Sequence, residues 1–255
     1  MAQLRSHYPL LASATALLVA CMALPALAQP FPSTPLDLRY NPPNRGAPGE
    51  ASTRDAGSRG CGLLAFEPAQ THWGETLQPR PTFWLNGTNA GEVAFVLTSE
   101  TTGEVVYEET LTLNEGNQVG AYTLPETAPP LAVNEIYRWQ FTLDCPGDPD
   151  PNINGVVIRR EPDSNLSEQL AAAPPQEQVV LLAAAGFWSD TAQVINQQRL
   201  ENPDDETFQA AWTDLLQQGG WAEELGEGFD EIATAPLSPN VITPRTPNGC
   251  TRQEE

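Results

Sequence analysis

Tyr137-Arg138-Trp139-Gln140-Phe141-Thr142-Leu143-Asp144-Cys145 decides the fold of this chain. Tyr137, Trp139, Phe141, Leu143 and Cys145 fall on one face at a period of two, and Arg138, Gln140, Thr142 and Asp144 fall on the other. Strict alternation over nine residues predicts a strand with one face on a core and one towards water.

On both sides of that strand, Cys61 to Glu161 has the punctuation of short strands. Leu63–Phe66, Pro81–Leu85, Val93–Thr98, Val105–Leu113, Gly120–Leu124 and Val156–Arg160 are further candidates. Asn86-Gly87 reads as a turn, and Glu100-Thr101-Thr102-Gly103 as a hairpin loop between two of the strands. Pro125-Glu126-Thr127-Ala128-Pro129-Pro130 excludes a central strand there. About seven short strands with frequent turns predict an antiparallel β-sandwich over 61–161, with Trp84 and Trp139 as its aromatic anchors.

After Pro162 the period changes from two to that of a helix. Asn165-Leu166-Ser167-Glu168 reads as a capping box, and Pro174-Pro175 ends one helix and opens the next, which runs to Gly186. A third starts at Trp188 and stops before Pro203. A fourth carries Phe208, Ala211, Trp212 and Leu215 at i, i+3, i+4, i+7 and ends at Gly219-Gly220. The fold class is therefore α+β: a sandwich, then a small helical hairpin region over 162–220. Trp188, Trp212 and Trp221 are expected to dock on the sandwich or on a partner, and ordinary core is the plainer role for at least two of them.

The ends read differently. Residues 1–28 have a basic start at Arg5, a short apolar run and the small-residue site Ala26-Leu27-Ala28, the pattern of a secretory signal. Leu18-Val19-Ala20-Cys21 offers lipoprotein processing at Cys21 as the competing reading. Residues 29–60 are rich in Pro, Gly, Ser and Arg without hydrophobic period and read as a flexible leader; 221–255 reads as an acidic, then Pro-rich, flexible tail. No later stretch is long and apolar enough for a membrane span. The expected location is exported, periplasmic or extracellular.

Charge excludes some functions. The chain of 255 residues has 12 basic residues, all arginine, against 33 carboxylates. Loss of Arg5 with the signal leaves a net charge of −22, a field that repels nucleic acid and anionic lipid surfaces. Three cysteines remain after processing. In an exported chain a bridge is the default, and Cys61 and Cys145, at the start of the β region and the end of its best strand, are the expected disulfide; Cys250 is left over.

The same residues carry a resemblance. Arg45-Gly46-Ala47-Pro48-Gly49, Arg59-Gly60-Cys61, Pro81-Thr82-Phe83-Trp84, Leu124 to Leu131, and Tyr137-Arg138-Trp139 with Cys145 occur in the order seen in domain-of-unknown-function family 928. The resemblance implies an exported cyanobacterial protein without assigned activity, so it transfers no site residue. Within it, Pro81–Trp84 and Tyr137–Leu143 look like bacterial immunoglobulin- or fibronectin-type modules. Gly186-Phe187-Trp188-Ser189-Asp190 through Asp205 looks like the second half of a tetratricopeptide repeat, with Thr191 where that repeat has a small alanine.

No pattern in the sequence names an activity. His72 is the one histidine after the signal, and no nucleophile elbow accompanies it, so it reads as a strand-edge or surface residue. No cysteine–histidine zinc spacing is present, and no catalytic, cofactor or metal residue is assigned. Asp150-Pro151-Asn152-Ile153-Asn154-Gly155 followed by Glu161 matches the spacing of a calcium loop, but prolines replace its helical flanks, and a hairpin turn explains the same letters. The expected function is a non-enzymatic interaction or scaffold module with an unidentified protein partner. The alternative is a module that binds envelope glycan or peptidoglycan, with or without calcium, and the third reading is a hydrolase using carboxylates.

Overall fold

The computed structural model describes residues 35–43, 52, 54–56, 61–114, 118–146, 149–238 and 242–244. The signal segment, Cys21 and Cys250 lie outside the described residues. The strands are β1 (Arg54–Ala56), β2 (Gly62–Ala65), β3 (Trp73–Thr76), β4 (Thr82–Gly87), β5 (Gly91–Ser99), β6 (Val105–Leu113), β7 (Val119–Thr123), β8 (Ile136–Leu143), β9 (Asn152–Arg159) and β10 (Ile242–Pro244). The helices are α1 (Ser164–Ala172), α2 (Pro175–Ala184), α3 (Trp188–Glu201), α4 (Glu206–Gln218), α5 (Trp221–Leu225) and α6 (Phe229–Ala233). The fold is α+β with two sheets, of order β1-β2-β4-β7 and β10-β6-β5-β8-β9-β3.

β8 lies inside the six-stranded sheet, between β5 and β9, and alternates as its sequence requires. Tyr137, Trp139, Phe141 and Leu143 are buried with Phe95 and Leu97 of β5 and with Phe83 and Leu85 of the other sheet. This first core is dense in aromatic rings: Phe83 lies 5.7 Å from each of Phe95, Trp139 and Phe141. On the outer face Arg138 pairs with Glu100 and donates to Asn154 Oδ1 at 3.2 Å. The β5–β6 hairpin turns through Gly103 at φ +73°, a conformation that glycine adopts without steric cost.

In the four-stranded sheet β2 and β4 are buried on both faces, which explains their apolar runs. Leu63, Ala65, Phe83 and Leu85 enter the first core, whereas Leu64, Phe66 and Trp84 enter a second core with the helices. Trp84 therefore anchors the sheet–helix contact, not the contact between sheets. Asn86-Gly87 closes no turn: β4 continues through Gly87, and Asn86 is buried and donates to the Gln118 carbonyl. Three short strands, β1, β3 and β10, escaped the sequence reading. β3 runs parallel to β9, so the six-stranded sheet is not wholly antiparallel. The two strands are far apart in sequence and no hairpin dictates their direction.

Helices α1 to α4 lie close to the spans expected from sequence. α1 begins two residues early because Asp163, whose Oδ1 accepts from Leu166 N at 2.7 Å, is the cap in place of Asn165. α4 ends at Gly219 with Gly220 in the left-handed region at φ +91°. The described parts of both segments read as flexible pack against the cores. Leu38 and Tyr40, inside the segment read as a flexible leader, are 4 % and 9 % exposed in the second core. The Gln218 side chain brackets them, accepting from Tyr40 N at 2.7 Å and donating to the Leu38 carbonyl at 2.9 Å. Of the segment read as a flexible tail, Trp221 is fully buried, and β10 pairs with β6, placing Ile242 in the first core.

Cys61 and Cys145 form a disulfide, with Cα atoms 6.5 Å apart and a sequence separation of 84. It joins the segment before β2 to the segment after β8 and so ties the two sheets together. Because it closes a long loop, replacing both cysteines with alanine is expected to cost about 2–4 kcal/mol. Urea denaturation with and without reductant checks this, since the double variant should lose the reductant dependence of the native chain.

Candidate functional site

The chain 66–80, between β2 and β4, runs under the helical layer and collects polar groups there. Phe66 N donates to the Trp84 carbonyl and Ala69 N to the Gly219 carbonyl, which fixes the first half of the segment. The Phe66 carbonyl accepts from Trp188 Nε1 at 2.7 Å, and the Glu67 carbonyl from Trp221 Nε1 at 2.8 Å. All three tryptophans of the helical region, Trp188, Trp212 and Trp221, are buried in the second core. They dock on their own sheet.

Between these anchors lie two buried carboxyls. Glu67 is 3 % exposed, Ser189 Oγ donates to its Oε1 at 3.4 Å, and Oε2 has no hydrogen-bond partner. Gly74 of β3 makes room for it: a Cβ there would stand 2.7 Å from Oε2. Asp190, in the first turn of α3, is 4 % exposed. It is well supplied with donors, accepting from Leu77 N at 3.0 Å, from Gln78 Nε2 at 3.2 Å and from Thr76.

The two respond to burial in the same sense. Desolvation pushes the Glu67 carboxyl up to about 8; the Ser189 hydrogen bond opposes this and the Asp190 charge adds to it. Burial also raises Asp190, against its hydrogen bonds. The folded chain therefore keeps a proton on Glu67 over a range in which the unfolded chain has lost it. Stability is full below the ordinary carboxyl value and falls as pH rises through about 8. His72, held neutral by burial, acts in the opposite sense below its ordinary range. Between about pH 5.5 and 7.5 the native chain is expected to lose roughly 2–3 kcal/mol that Glu67→Gln retains. Thermal melts of both proteins across that range test this: the curve for Glu67→Gln should be flatter and should cross above the native one.

Beside this pair a pocket of about 340 Å³ opens, lined by Thr76, Gln78, Arg80, Thr82, Thr123, Ser189 and Gln193. Arg80 is already committed to the carbonyls of Pro125, Glu126 and Ala128. Thr82 and Thr123 share a hydrogen bond of 2.8 Å, and Gln193 Oε1 is buried without a partner. The lining is thus hydroxyl and amide, suited to exchanging hydrogen bonds with a neutral polar ligand.

The residues singled out in the sequence are dispersed. The calcium-loop pattern is not a loop. Asn152 and Asn154 lie in β9 with their side chains committed to Thr142 and Arg138, and Asp150 Oδ1 accepts from Cys145 N. Asp150 and Glu161 flank opposite ends of a strand about 23 Å long, too far apart to share one ion. Gly155 serves Trp139, directly opposite it on β8, rather than a turn. Among the described residues no group of three or more His, Cys, Asp or Glu is placed to hold a metal. His72 is half-buried just before β3, at φ +55°, with Nδ1 unpartnered. Glu67 and Asp190 went unremarked in the sequence because buried polar residues carry no periodic signal.

The model of one family, described as a Domain of Unknown Function (DUF928), matches residues 48–237. No curated protein matches the chain.

Proposed function

The chain belongs to the DUF928 family, and from that premise we propose that it is a non-enzymatic interaction module working outside the cytoplasm. We read its two sheets as an immunoglobulin- or fibronectin-like sandwich, and the helical region fused to it as resembling part of a tetratricopeptide repeat, with α3 and the turn to Asp205 as the second half of that repeat. The observation that carries the reading is the pair of indole hydrogen bonds from Trp188 and Trp221 to the Phe66 and Glu67 carbonyls. They support a scaffold whose helices are a fixed layer, leaving an acidic outer surface for recognition. Asp190 is saturated by protein donors and Glu67 is sealed against Gly74, which supports a structural use of the junction over turnover. The Cys61–Cys145 disulfide supports a periplasmic or extracellular location. No helix among the described residues is long and apolar enough to cross a membrane.

The pocket at Thr76, Thr123 and Gln193 favours a second reading, binding of an envelope glycan through its hydroxyls. In-cell crosslinking of the tagged full chain, followed by identification of what co-purifies, separates the two. A stoichiometric protein partner supports the module reading. Enrichment of envelope polymer alone, lost in Gln193→Ala, supports the glycan reading. Turnover of a glycoside or ester substrate, abolished by Asp190→Asn, overturns both.

A further inference from the structure

A second pocket, of about 300 Å³, lies at the C-terminal end of α3 and is lined by Arg199, Leu200, Asp205, Gln209, Thr234 and Leu237, among others. Arg199 is 8 % exposed and burial lowers its guanidinium to about 10, yet no carboxylate of the described residues pairs with it. Its partners are neutral. Nη1 donates to Asn196 Oδ1 at 2.7 Å and Nη2 to Gln209 Oε1 at 2.6 Å, with the Ala235 carbonyl farther off at 3.5 Å. The guanidinium carbon stands 5.5 Å from the centre of the Trp212 ring. Gln209 is itself tied to the Ala233 carbonyl, so the cation is held in place from both sides. Asn196 Nδ2, beside it, is a buried donor without a partner.

A buried cation without a counter-ion is costly, and a chain with 33 carboxylates has had ample means to supply one. We propose that this pocket binds a small monocarboxylate bearing a short apolar group, whose carboxylate supplies the missing counter-charge to Arg199. Arg199 retains one unused N–H on Nε and one on Nη1; they lie on different edges of the guanidinium, so a carboxylate oxygen meets either by a single charge-assisted hydrogen bond. Leu200, Pro203, Pro236 and Leu237 supply an apolar wall for the substituent. Asp205 lines the same pocket while its Oδ1 accepts from Thr207 N, and its charge disfavours a multiply charged anion such as phosphate.

The test is a titration of the full mature chain, observed by ¹H–¹⁵N spectra of the arginine Nε–H groups, with sodium butyrate, butyramide and inorganic phosphate as separate probes. Butyrate should shift the Arg199 signal saturably at millimolar concentration and raise the melting temperature, whereas butyramide and phosphate should leave both unchanged. Leu200→Glu is the companion variant, because Leu200 is 38 % exposed and its replacement leaves the core intact. It adds a negative charge at the mouth and should weaken butyrate binding several-fold. A butyrate response absent from Arg199, matched by butyramide, exceeded by phosphate or unaffected by Leu200→Glu overturns the proposal.

Discussion

Gly155→Ala is expected to yield a chain that fails to reach the native state, or reaches it with at least about 3 kcal/mol less stability. The backbone of Gly155 needs no glycine conformation; the constraint is packing. A Cβ there would overlap Trp139 Cζ2, stand 2.8 Å from Cε2 and meet the His72 carbonyl oxygen at 3.0 Å. Neither neighbour can retreat. Trp139 is fully buried between the sheets, 5.8 Å from Phe141 and 5.7 Å from Phe83, and the His72 carbonyl accepts from Val156 N at 2.9 Å. Urea denaturation of the variant measures the loss. Gly155→Ala combined with Trp139→Phe should recover part of it, because the smaller ring vacates the overlapped volume. No recovery in the double variant would mean that the cost lies in the backbone of β9.

Trp188→Ala is the second large effect, at about 5 kcal/mol. The indole is fully buried at the start of α3, meets Tyr40 edge-on at 4.9 Å, and donates to the Phe66 carbonyl at 2.7 Å. Gly219 accommodates its ring, since a Cβ there would overlap Cη2 and stand 2.7 Å from Cζ3. Truncation thus opens a large cavity in the second core and leaves the Phe66 carbonyl unpaired. Trp188→Phe fills most of the cavity but cannot donate, so its cost, about 1–3 kcal/mol, isolates the hydrogen bond. Chemical denaturation of the pair checks both numbers, with Trp188→Ala expected well below Trp188→Phe.

Elements that bury one face in a regular rhythm were legible from the sequence. β8 is the clearest, and α4, with Phe208, Ala211, Trp212 and Leu215 on one stripe, is close behind. What the sequence hid depends on partners distant in the chain. Trp73-Gly74-Glu75-Thr76 has too few apolar residues to declare a strand, and β3 exists because β9 lies beside it. Leu38 and Tyr40 are two apolar residues in a Pro-rich segment, and only the presence of α4 and Gln218 gives them a core to enter. The calcium-like spacing misled for the converse reason: its glycine answers to a tryptophan sixteen residues earlier, and its asparagines to cross-strand neighbours. Of the candidate site almost nothing was visible. Glu67 and Ser189 are separated by 122 positions, and Arg199 looks like any helical arginine until Trp212 and Gln209 surround it.

The account rests on the helices being a permanent layer of the fold rather than a detachable docking arm. Hydrogen exchange of the indole N–H groups of Trp188 and Trp221, measured beside the backbone amide of Phe141 in β8, tests that most directly. Both indole protons are predicted to exchange only through global unfolding, with the same opening free energy and the same denaturant dependence as Phe141. Indole exchange at a much lower free energy, with Phe141 still protected, would show that the helical layer opens by itself and would contradict the account.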